Sequence, residues 1–77
     1  MPKLGTIHWK KFEEFLLENG CVFIKQESRH RKYHKAGLLR PVIIPKSKSI
    51  PPFIVLNNLR TLGIDRKKYT DFLKKGS

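Results

Sequence analysis

The sequence is short of acid: six Asp and Glu stand against seventeen Lys and Arg, a formal net charge of +11. It is also short of cysteine, with Cys21 alone. A single thiol excludes an internal disulfide framework. Its apolar neighbours Val22 and Phe23 mark Cys21 as buried and inert. No stretch approaches the roughly 20 apolar residues that a membrane span needs. Nor does the N-terminus carry the apolar run of a signal peptide. A reducing, cytoplasmic location is the expectation these absences leave by default. Length is the last shortage: 77 residues make one domain. A chain this short buries only about 60% of the surface it exposes when unfolded. A deep cavity with several catalytic shells is excluded, so any chemistry is simple and sits near the surface.

Cation is what the sequence has, and it is unevenly placed. From Cys21 to Ile64 the only acid is Glu27, against Lys25, Arg29, Arg31, Lys32, Lys35, Arg40, Lys46, Lys48 and Arg60. The other acids, Glu13, Glu14, Glu18, Asp65 and Asp71, lie nearer the two ends. A basic middle between more balanced ends reads as a polyanion-binding surface, with nucleic acid the first candidate. The plainer alternative is charge that only solubilises the chain.

Hydrophobic spacing predicts the elements in turn. Met1 to Gly5 is a short, loose lead-in. Thr6 is placed to cap a helix, and Trp9, Phe12 and Leu16 follow the three-and-four spacing of its buried face. Asn19-Gly20 ends that helix. Cys21 to Gln26 reads as a strand, Glu27-Ser28 as a turn, and Arg29 to Lys35 as a second strand. Ala36-Gly37 is a turn of hairpin length. Leu39 to Ile44 makes a third strand, with Pro41 confining it to an edge or breaking it. Pro45 to Ile50 reads as a mobile basic loop. Pro51-Pro52 opens a helix running to Leu62, and Gly63 closes it. Asp65 caps a last helix from Arg66 to Lys75. Tyr69, Phe72 and Leu73 turn inward from it.

The stretch from Glu27 to Lys35 concentrates the chemistry. On a strand, successive side chains point to opposite faces. His30, Lys32 and His34 therefore share one face, and Arg29, Arg31 and Tyr33 the other. Tyr33 is more plausible as packing than as chemistry. His30 and His34 stand roughly 13 Å apart on such a strand, too far to share an ion. His8 has no nearby partner, so neither metal nor cofactor is expected. A histidine flanked by cations suits proton transfer beside a phosphate. It also suits simple contact with a base or phosphate.

The expected fold is α+β, in the order α-β-β-β-α. A three-stranded antiparallel sheet carries helices on one face, with an extra C-terminal helix. This is the layout of the double-stranded-RNA-binding domain (dsRBD-like).

Several pieces also resemble the HicA toxins, small ribonucleases of toxin–antitoxin pairs. They are Phe12 to Gly20, Val22 to Gln26, Ser28-Arg29-His30-Arg31-Lys32-Tyr33, Val42-Ile43-Ile44-Pro45 and Leu59-Arg60-Thr61-Leu62-Gly63-Ile64. Together they cover Trp9 to Ile64. The family's Gly-Ser-His-His falls on Ser28, Arg29, His30 and Arg31, so only the first histidine is kept. Asn58 replaces an aliphatic residue on the late helix. The implied division is one HicA-like domain over 1–77, with a core of about 7–64 and a helical extension over 65–77.

The resemblance implies metal-independent cleavage of mRNA with His30 as general acid or base. Histidine suits this because its reference pKa of roughly 6.5 lies near working pH. A 2′-hydroxyl attacks the adjacent phosphate and leaves a 2′,3′-cyclic phosphate and a 5′-hydroxyl. The expected RNA contacts are Lys25, Arg29, Arg31, Lys32, Lys35, Lys46 and Lys48. The implied partner is a HicB-type antitoxin that covers the basic face, for which an acidic surface is suited. Two other readings stand beside this one: a non-catalytic RNA-binding module of the same fold, and a basic adaptor for a larger acidic protein.

Overall fold

A computed structural model describes residues 5–75. The lead-in expected over Met1 to Gly5 lies, apart from Gly5, outside the described residues, as do Gly76 and Ser77. The elements run α1 (Trp9–Glu18), β1 (Val22–Glu27), β2 (His30–His34), β3 (Val42–Pro45), α2 (Pro52–Leu62) and α3 (Arg66–Lys75). The strands form one antiparallel sheet in the order β1-β2-β3. The fold is therefore the expected α+β arrangement of helix, three-stranded meander and two C-terminal helices.

Helix α1 begins later than the spacing suggested. Ile7 is held extended by an antiparallel bridge to Ile50, with hydrogen bonds of 3.1 and 2.8 Å. A helix cannot start inside that pairing, so the cap is His8 rather than Thr6. Its Nδ1 accepts from the Lys10 backbone N–H at 3.1 Å. The buried face is Phe12, Phe15 and Leu16, with Trp9 only half-buried. At the far end the Asn19 side chain donates to the Phe15 carbonyl, and Gly20 takes φ 88. Asp65 caps α3, accepting from the Lys67 N–H at 2.9 Å.

The connection after β2 is longer than a hairpin turn. Pro41 has no N–H to give a ladder, and β3 starts only at Val42. Leu39, expected in that strand, is fully exposed in the loop over 35–41. The segment 46–50 is tied down rather than loose. The Lys46 N–H donates to the Arg29 carbonyl at 2.6 Å, and the Trp9 N–H to the Ser47 carbonyl at 3.0 Å.

The core lies between the sheet and the helices. Tyr33 of β2, Val42 and Ile44 of β3, and Val55, Leu59 and Leu62 of α2 are all buried there. Aromatic rings join α1 to α3: Phe15 meets Tyr69 edge-on at 5.3 Å and Phe72 at 5.1 Å. Such pairs add about 0.5–1.5 kcal/mol each beyond the area they bury. Among the described residues no helix lies over the sheet's other face. There Val22 of β1 and Ile43 of β3 are exposed, and Ile43 alternates along its strand with buried Val42 and Ile44.

Candidate functional site

Strand β2 sends alternate residues to opposite sides, and the two sides differ in kind. On the helix side Arg31 is clamped. Its guanidinium donates to Glu13 at 2.8 Å, to Gln26 at 2.9 Å and to the Tyr33 hydroxyl at 3.1 Å. It also lies 4.2 Å from the Phe23 ring centroid and 4.7 Å from that of Trp9. The Tyr33 hydroxyl donates to the same Glu13 oxygen at 2.5 Å. Burial, with the bond to Glu13, pushes the Tyr33 phenol up to about 12. A phenol so held is a structural donor, as its full burial requires.

On the open side stand His30, Lys32 and His34. What faces them from β1 is set by an irregularity. Phe23 pairs with Tyr33 and Lys25 with Lys32, so Ile24 is an extra residue between two paired ones. Such a bulge shifts the side-chain alternation by one. Phe23 and Gln26 are thereby both kept on the helix side with Arg31. Lys25 and Glu27 both come to the open side, where they form an exposed ion pair at 2.7 Å. Bonding to Lys25, with the charges of Lys25 and Lys32, holds the Glu27 carboxyl below its usual range.

Glu27, Ser28, His30, Lys32 and Ile43 line an open cleft of about 540 Å³. That lies within the usual size of small-ligand sites. Its rim is the two-residue turn Ser28-Arg29, flanked by the facing pair Glu27 and His30. Ser28 has φ 54, the left-handed region that glycine prefers. The HicA pattern puts glycine at this position, and the turn shows why.

The expected RNA-contact residues are thus dispersed. Lys25 and Lys32 stand on the open face with His30, and exposed Arg29 sits at its rim. Arg31 faces the other way. Lys35 follows β2 and is half-buried, its charge acting on Cys21. Burial pushes the Cys21 thiol up, and Lys35 offsets part of this. The Lys46 ammonium lies 5.7 Å from the centroid of the Trp9 ring, and Lys48 is exposed in the pinned segment. Among the described residues no group of three or more metal-ligating side chains comes together. No described helix is long and apolar enough to cross a membrane. Two residues escaped the sequence reading. Glu13 anchors β2 to α1, and nothing local to it signals that. Glu27 joins the cleft, and its isolation among cations was the available signal.

The family model for the HicA toxin of bacterial toxin–antitoxin systems matches residues 9–64. The chain belongs to the HicA toxin family. Comparison with curated proteins and with solved structures gave no significant match. Membership makes this chain a toxin of a toxin–antitoxin system, in a family known as mRNA interferases, and implies an antitoxin partner. The matched span ends before α3, so the aromatic packing of Tyr69 and Phe72 on α1 comes from outside it.

Proposed function

We propose that this HicA-family chain is an endoribonuclease that cuts mRNA in the cytoplasm without a metal, with His30 moving a proton in the cutting step. The observation that carries the reading is the position of His30: exposed, in the open-face cleft, beside Lys32. A polyanion can reach this surface, because no described helix covers it. In the cutting step the 2′-hydroxyl attacks phosphorus and the P–O5′ bond breaks. Charge builds on the phosphate oxygens along this path. Lys32 offsets that charge, as fixed cations do in phosphate sites, while Lys25 and Arg29 hold the flanking backbone. Arg31 has a different role: it locks β2 against α1, so that His30 is presented from a rigid strand.

General acid–base help contributes about 100- to 10,000-fold. The enzyme is therefore slow, which suffices for a toxin acting on message. A HicB-type antitoxin with acidic residues would neutralise the cationic open face and occlude His30 together.

The test is cleavage of a long single-stranded RNA in EDTA, comparing wild type with His30→Ala. Cleavage by the wild type alone, leaving cyclic-phosphate ends, supports the proposal. RNA binding by both proteins with cleavage by neither makes the chain a binding module of this fold.

A further inference from the structure

Transfer of a phosphate from O5′ to O2′ moves two protons: one leaves the 2′-hydroxyl and one reaches the departing 5′-oxygen. A single histidine serves one of these at a time. The cleft holds a second group suited to the other. Between Cys21 and Ile64 Glu27 is the only acid, and the fold sets it opposite His30 across the β1–β2 hairpin. Residues so opposed have Cβ atoms about 4.5–5.5 Å apart. The bulge at Ile24 brings Glu27 to this face, and the two-residue turn sets the register. Glu27 and His30 both line the cleft, and the carboxylate bonds to Lys25 rather than to the imidazole. A phosphate can thus sit between a base and an acid.

Resting on the nuclease reading above, we propose that Glu27 is the general base of RNA cleavage and His30 the general acid. The Glu27 carboxylate removes the 2′-hydroxyl proton as O2′ bonds to phosphorus. The P–O5′ bond breaks, and the His30 imidazolium gives its proton to O5′. One P–O bond forms and one breaks, with no water, oxidant or metal consumed. Solvent then restores both groups. The charged groups around Glu27 are Lys25 on its own strand and His30 and Lys32 on β2. Strand β3 contributes only Ile43 and Pro45 on this face. The lysines keep Glu27 ionised, which makes it a weak base and the turnover slow. A bound phosphate draws Lys25 and Lys32 away from the carboxylate and so strengthens it.

The experiment compares wild type, Glu27→Gln and His30→Ala on two substrates. One is RNA. The other is a uridine 3′-nitrophenyl phosphate, whose leaving group departs without a proton. Glu27→Gln removes an exposed ion pair of the kind that contributes little to folding, so the variant folds, and circular dichroism confirms it. It also removes a negative charge, so RNA binding holds or tightens. On RNA both variants lose about 100-fold or more in kcat/KM. On the activated substrate His30→Ala recovers most of the wild-type rate, whereas Glu27→Gln stays slow. Wild-type kcat/KM on that substrate, which reports the free enzyme, holds as pH falls to below the ordinary glutamate value of 4.5 and then drops. Wild-type cleavage with Glu27→Gln equal to it on both substrates overturns this assignment alone. So does a rate on the activated substrate that His30→Ala abolishes. No cleavage of either substrate by the wild type overturns the nuclease reading itself, and this assignment with it.

Discussion

Arg31 and Lys32 are consecutive cations on one strand, and they do opposite things. Arg31 is held by Glu13, Gln26 and Tyr33 between two aromatic rings. Lys32 looks out over the cleft beside His30. The alternation of a strand puts the first in a partly desolvated network and the second where a phosphate can approach. A guanidinium suits the first place: it is planar, always charged, and stacks on rings while donating in several directions. An ammonium suits the second, as a mobile point charge. A count of basic residues treats the two alike, whereas the surface that a polyanion meets contains one of them.

The comparison breaks most sharply at Glu13. Replacing it with Ala leaves the Arg31 guanidinium and the Tyr33 hydroxyl short of their shared acceptor. The expected loss is about 1–3 kcal/mol of folding free energy, read from denaturant unfolding. Cleavage per folded molecule should fall far less than in His30→Ala, because His30 and Lys32 lie on the other side and lose only the rigidity of their strand. Equal stability of the variant would show that the helix-side network does not hold β2.

Alkali attacks the same side by another route. Burial pushes both tyrosines, Tyr33 and Tyr69, up to about 12, while an unfolded chain titrates them near 10. The folded state therefore favours the protonated phenols. That contribution is intact below pH 10 and is lost as pH rises from 10 towards 12. Phenolate absorbance should show no step near 10 in the native protein. A step there would place a tyrosine in water.

The turn that sets the two sides carries a smaller effect. Ser28 pays for its left-handed backbone, and Ser28→Gly should stabilise the protein by up to about 1 kcal/mol. Thermal unfolding of the two proteins measures it, and an unchanged midpoint would mean that the turn is unstrained.

The finest test separates the two cations directly. Lys32→Ala should lower the slope of log affinity for single-stranded RNA against log salt by about 0.7, the value for one phosphate contact. Arg31→Gln should leave that slope where it was. Equal changes in both would put Arg31 on the RNA.

Much of this molecule was legible because it depends on local rules. Pro51-Pro52 and Gly63 bound α2, Asp65 starts α3, and the period of two sorted His30 and Lys32 from Arg31 and Tyr33. Two of the misreadings were non-local and one was local. Thr6 lost its cap to a bridge between Ile7 and Ile50. The segment 46–50 is pinned by hydrogen bonds to Arg29 and Trp9. Leu39 left its strand because Pro41, two residues on, cannot extend the ladder.

The order of the elements, the cationic middle and the family were written in the sequence, since each rests on residue type and near-neighbour spacing. Which cations face outward together was not. That depends on the bulge at Ile24, which reverses the alternation of β1, and on Glu13, which reaches Arg31 across eighteen positions of chain. Only tertiary pairing selects among such distant partners. It is also what sets the one acid of the basic middle opposite His30.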